Sequence, residues 1–110
     1  MKSEVDEITD LIIAFRNERD WEQFHDAKNL AINLSIESSE LLQNFLWKQS
    51  TEANVASIKE ELADVFYSAF LLADLYKFDV KQIIEDKLAS NARKYPVEKS
   101  KGSNKKYTNL

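Results

Sequence analysis

The sequence predicts an all-α fold, a protomer built like a four-helix bundle. Three observations lead there. The 110 residues include one glycine and one proline, so the chain has few of the residues that punctuate tight turns. Leu, Ile, Ala, Lys and Glu are abundant, and these residues favour helix. Apolar residues also return at i, i+3 and i+4 spacing along successive stretches.

The first stretch, residues 3–20, places Val5, Ile8, Leu11, Ile12 and Phe15 on one face, and Ser3 with Asp6 resembles a capping box. This periodicity fits a helix that covers the core. A connection follows, Asp20-Trp21-Glu22-Gln23-Phe24-His25-Asp26, which crowds two aromatics and the only histidine into a segment without a period. Its aromatics either plug the end of a bundle or line a binding site, and His25 is either a surface histidine or a binding residue. Asp26 is the expected N-cap of a second helix over residues 27–48.

In that helix Leu30, Leu34, Leu41 and Phe45 form a stripe that contains Glu37. Ala31, Ile32, Ile36, Leu42 and Leu46 add apolar surface on other sides, the pattern of a helix buried by its own fold or by oligomerisation. Trp47 and Lys48 close it, with Trp47 either a core or interface aromatic or a ring that stacks on a base. After a polar link, residues 54–77 carry Val55, Ile58, Leu62, Val65, Phe66, Ala69 and Leu72 as the apolar set of a third helix. Asp79 caps a fourth, residues 80–95, whose last turn holds Asn91, Arg93, Lys94 and Tyr95 before Pro96 ends it. The expected organisation is a helical domain, 1–96, and a basic, polar tail, 97–110, which on composition is flexible.

Four acids interrupt the apolar stripes. Glu37 and Glu40 lie on the second helix, Glu61 and Asp64 on the third, each pair spaced i, i+3 so that its carboxylates share a face. Packed antiparallel, the two helices bring both pairs together. A buried carboxylate is costly unless paired or bound to a cation. Four acids facing one another without a basic partner suit a hard metal ion, Mg²⁺ or Mn²⁺, in preference to zinc or iron. The bland alternative is a set of solvated acidic faces. Glu60, about 100° round the helix from Glu61, stays outside the expected ligand set.

The bulk properties narrow the classes further. A net charge of −4 weighs against general binding to duplex DNA. The absence of cysteine excludes disulfides and thiolate metal sites. The first residues lack the apolar run of a signal peptide and no run is long enough to span a membrane, so a cytoplasmic protein is expected.

ExxE on one helix and ExxD on the next resemble the MazG-like, all-α nucleoside triphosphate pyrophosphohydrolases. Arg19-Asp20-Trp21-Glu22-Gln23-Phe24-His25, Glu37-Ser38-Ser39-Glu40-Leu41 running on to Trp47-Lys48, Glu60-Glu61-Leu62-Ala63-Asp64-Val65, Arg93-Lys94-Tyr95-Pro96 and Lys106-Tyr107-Thr108-Asn109-Leu110 are similar, in the same order, to the dCTP pyrophosphatase branch. The resemblance implies Mg²⁺-dependent hydrolysis of a (d)NTP to the monophosphate and pyrophosphate, for cleaning the nucleotide pool. It implies Glu37, Glu40, Glu61 and Asp64 as metal ligands; an acid not fully occupied by metal could take the proton from water, and Glu40, then Glu37, are the candidates for that catalytic role. His25 and Trp47 would meet the base, and Lys48, Asn91, Arg93, Lys94 and Tyr95 the phosphates and sugar. It further implies a homo-oligomer, a dimer of dimers with sites shared between chains. The rival readings are a dUTP pyrophosphatase of the same fold and a non-catalytic helical interaction module.

Overall fold

A computed structural model describes all 110 residues, and they form helices and turns without a strand. The chain falls into two compact units, Met1–Phe78 and Asp79–Leu110. No helix is long and apolar enough to cross a membrane.

The first unit holds α1 (Glu4–Glu18), α2 (Ala27–Gln43) and α3 (Val55–Leu75), with short 3-10 turns at Glu22–Phe24 and Ser50–Glu52. Each helix starts where a side chain satisfies its free amides. The Ser3–Asp6 capping box opens α1. The Asp26 carboxylate accepts from the Asn29 amide at 2.8 Å and opens α2. The Asn54 side chain, for which no such role was expected, accepts from the Ser57 amide at 3.1 Å and opens α3.

Two of the helix ends use left-handed residues that are not glycine. Asp20 (φ 55°) follows α1, where the Trp21 amide donates back to the Arg16 carbonyl. Lys77 (φ 56°) follows α3, where the Phe78 amide donates to the Ala73 carbonyl. Both are Schellman-type stops, made here without the usual glycine.

Helix α2 ends five residues before the expected Lys48. From Asn44 the backbone tightens into bonds to the third residue back: Asn44 to Leu41, Phe45 to Leu42 and Leu46 to Gln43. The Asn44 side-chain amide also donates to the Glu40 and Leu41 carbonyls, at 3.3 Å each. Trp47 then turns left-handed at φ 63°. The apolar periodicity of Phe45 and Leu46 runs on past the last true helical turn, which is why the sequence reads as longer.

Helices α2 and α3 form the main packing pair, and α1 lies against α3. Leu30 and Leu71, each 2% exposed, are the best-buried large side chains, one on each member of that pair. Much apolar surface remains uncovered, including Ile32, Ile36 and Leu42 on α2, Leu46 in the turns after it, and Leu62 and Phe66 on α3.

The second unit holds α4 (Val80–Lys94), capped by Asp79, a one-turn α5 (Val97–Ser100) and a 3-10 turn at Tyr107–Asn109. The tail expected to be flexible is therefore folded back on its own helix. Tyr107 packs edge-on against Tyr95, ring centres 5.9 Å apart, and Lys94 Nζ lies 5.1 Å from the Tyr107 ring centre. The basic composition concealed these aromatic contacts.

Candidate active site

Glu37 reaches the site from α2, and Glu61 and Asp64 from α3, because each lies on the face its helix turns toward the other. One carboxylate oxygen from each of the three lies within 4.8 Å of the others. Glu37 feels Asp64 more strongly than Glu61, and Glu61 feels Glu40 first, the pattern of an antiparallel pair. Glu40 stands beside the three-oxygen cluster and outside it. The expected pairing of the four acids from opposite walls is thus present, with three of them converging on one point.

The electrostatics of the cluster are those of an unfinished site. Glu37 Oε2 and Glu61 Oε2 are buried, and no N–H or O–H of the chain donates to either. Burial, then the Glu40 carboxyl through hydrogen bonding and charge, then Asp64 and Glu61, push the Glu37 carboxyl up to about 7. Burial and the Glu40 charge also hold the Glu61 carboxyl above the usual carboxylate range. Desolvated acids without a basic partner are stabilised by a cation, and a purely oxygen donor set fits a hard divalent ion. The residues present therefore fit a metal held by Glu37, Glu61 and Asp64.

The acids open into a pocket of about 580 Å³, a volume suited to a small molecule. Glu37 and Asp64 line it, and Phe15, Trp21 and His25 form an aromatic wall contributed by α1 and the turn that follows. Phe15 meets both Trp21 and Tyr67 edge-on, with ring centres 5.8 and 6.1 Å apart. Burial, then the nearby Arg16 charge, lowers the pKa of His25, so its ring is neutral at pH 7. Its Nδ1 is buried without a partner.

Trp47 is fully exposed at the left-handed end of α2, outside the pocket lining, and Lys48 follows it on the exposed surface. Asn91, Arg93, Lys94 and Tyr95 belong to the second unit, at the end of α4. Seven of the ten lining residues were not expected site residues, among them Phe15, Trp21, Asn33 and Tyr67. Spacing held the signal for Asn33 and Tyr67, which lie four residues before Glu37 and three after Asp64, each on its acid's face.

The MazG-like family's sequence model matches residues 32–110, a span that includes all four acids. The chain belongs to the MazG-like family. It is 39% identical to dCTP pyrophosphatase 1 of Mus musculus over 96% of this chain and 67% of that one. It is 35% identical to the Homo sapiens protein of that name, again over 96% of this chain and 67% of that one. Among solved structures, a pyrophosphatase from Archaeoglobus fulgidus superposes with a TM-score of 0.81 at 33% identity, covering 87% of this chain and 95% of that one. The MazG-like chain described here is an enzyme, a nucleoside triphosphate pyrophosphohydrolase, which removes the interaction-module reading.

Proposed function

We propose that this pyrophosphohydrolase uses Mg²⁺ and acts best on dCTP, releasing dCMP and pyrophosphate in the cytoplasm to clear or balance the nucleotide pool. One observation carries the proposal: a partnerless cluster of acids and an aromatic wall share a single pocket. The names of the relatives add support for the cytosine nucleotide.

Glu37, Glu61 and Asp64 hold the ion, and Mn²⁺ suits the same oxygen set. When bound, the ion polarises phosphoryl oxygens and offsets the negative charge that would otherwise repel a triphosphate. Glu40 neighbours both Glu37 and Glu61 at the edge of the cluster, and its carboxylate takes a proton from water. That water attacks the α-phosphorus, the bond to the bridging oxygen breaks, and pyrophosphate leaves with the electron pair. Glu37, one turn before Glu40 on the same helix, is the second acid placed to take that proton. The base enters the aromatic wall, where neutral His25 meets it by hydrogen bonding and not by charge.

The remaining residues act in an assembled enzyme, a homo-oligomer arranged as a dimer of dimers. Trp47 is fully exposed and suits a base presented by a neighbouring copy. Lys48, Asn91, Arg93, Lys94 and Tyr95 supply cationic and hydrogen-bonding groups for the phosphates and sugar.

The test is pyrophosphate release from a panel of dNTPs and NTPs with Mg²⁺, Mn²⁺ or neither. Mg²⁺-dependent release that is fastest with dCTP is the expected result. Faster release from dUTP would make the enzyme a dUTP pyrophosphatase, and release without a divalent ion would remove the metal from the proposal.

A further inference from the structure

We infer that Arg16 is a positioning residue for the nucleotide base: from behind the aromatic wall it holds the turn that carries Trp21 and His25. The inference rests on the nucleotide reading above and adds to it a side chain that lies outside the pocket lining.

Arg16 stands in the last turn of α1, and its side chain is only 12% exposed. A guanidinium stays charged at any working pH, so burying one is costly unless acceptors surround it. Arg16 has few. Its Nε and one terminal nitrogen both donate to Asn17 Oδ1, at 3.1 and 3.0 Å. Its acidic partner, Glu22, is 3.8 Å away and 70% exposed. An exposed carboxylate at that distance adds little to stability. What the pair does is connect α1 to the turn.

The contacts of Arg16 converge there. Its carbonyl accepts from the Trp21 amide at 3.1 Å. Its guanidinium pairs with Glu22, which opens the 3-10 turn, and the Glu22 carbonyl accepts from the His25 amide at 3.0 Å. Arg16 is thus linked to both wall residues that the turn supplies. Its charge also reaches across the wall, acting on His25 and on Tyr67 of α3. The charged or titratable groups of the pocket and its turn are Arg16, Glu22 and Asp26, then Glu37 from α2, and Asp64 and Tyr67 from α3. Of their charges, the one felt at His25 is that of Arg16. A fixed cation opposes a second proton on the ring, and a base covering an imidazolium would have to desolvate that charge.

The experiment measures kcat and KM for dCTP with Mg²⁺ between about pH 5 and 8 in the wild type, Arg16→Met, Arg16→Lys and Glu22→Gln. His25 is the only histidine, so its ring signals in NMR follow its protonation directly. Arg16→Met should raise KM about fivefold, the size of one charge pair, with kcat little changed. It should also move upward the titration of His25 and the pH below which KM climbs. Arg16→Lys keeps the charge and should restore the wild-type titration. Glu22→Gln frees the guanidinium without removing it, so it should raise KM without that upward move. A lower melting temperature for Arg16→Met with KM and the His25 titration unchanged would make Arg16 purely structural and overturn the inference. So would an unchanged KM in Glu22→Gln, which decides the matter even if Arg16→Met fails to fold. A wild type that hydrolyses no nucleoside triphosphate would instead remove the reading on which the inference rests.

Discussion

Glu37 and Glu61 are desolvated carboxylates whose nearest charged neighbours are other acids, and that arrangement costs the metal-free protein stability. Glu61→Gln removes one charge while keeping the shape, so it should raise the metal-free melting temperature. It should also lower turnover by at least about a hundredfold, because losing a ligand costs no less than losing a group that merely orients one. Calorimetry and turnover on the same sample check both effects. The pH dependence has a definite sign. Glu37 sits at about 7 in the folded chain against an ordinary value of 4.5, so between these values the native state holds more protons than the unfolded state. Its contribution to metal-free stability is intact below 4.5 and is lost as the pH rises through about 7. Melting temperatures across that window should fall in the wild type and flatten in Glu37→Gln. At this scale the acids were legible, because charge inside an apolar stripe is conspicuous. Tyr67 was not, because a tyrosine on an inward face reads as ordinary packing until its hydroxyl is seen to lack a partner.

The helix starts were more legible than the helix ends. Ser3, Asp26 and Asp79 cap where the sequence places them, since a side-chain oxygen ahead of an apolar run is a local signal. Removing the cap of α2 with Asp26→Ala should cost about 1 kcal/mol in chemical denaturation. The ends depend on backbone conformations that this sequence does not mark with glycine. Asp20, Trp47 and Lys77 take left-handed φ values despite their side chains. Lys77→Gly should therefore stabilise the protein by up to about 1 kcal/mol in the same assay, and no change or a loss would show that the left-handed turn is not strained. The early stop of α2 also matters for the site. It takes Trp47 off the face of Glu40, seven residues before it, and leaves the ring exposed, where a continuous helix to Lys48 would have kept the two on one side.

At the scale of the whole molecule, the all-α fold followed from low glycine and proline content and from the spacing of apolar residues. Apart from the family resemblance, the expectation of an assembly rested on an excess of apolar surface on the second helix. In the structure that excess is Ile32, Ile36, Leu42 and Leu46, which a lone chain leaves exposed. Sedimentation equilibrium should give a mass that is a multiple of 12.8 kDa. Ile36→Glu should shift it toward the monomer, and an unchanged mass would place the interface on another face. The central claim is that the acid cluster directs cleavage between the α- and β-phosphates of a nucleoside triphosphate. Its most direct test is to identify the products of dCTP with Mg²⁺ by ³¹P NMR, for the wild type and for Glu61→Gln. The predicted result is dCMP and pyrophosphate in equal amounts from the wild type, and almost none from the variant. Release of orthophosphate with dCDP, or undiminished cleavage by Glu61→Gln, would contradict it.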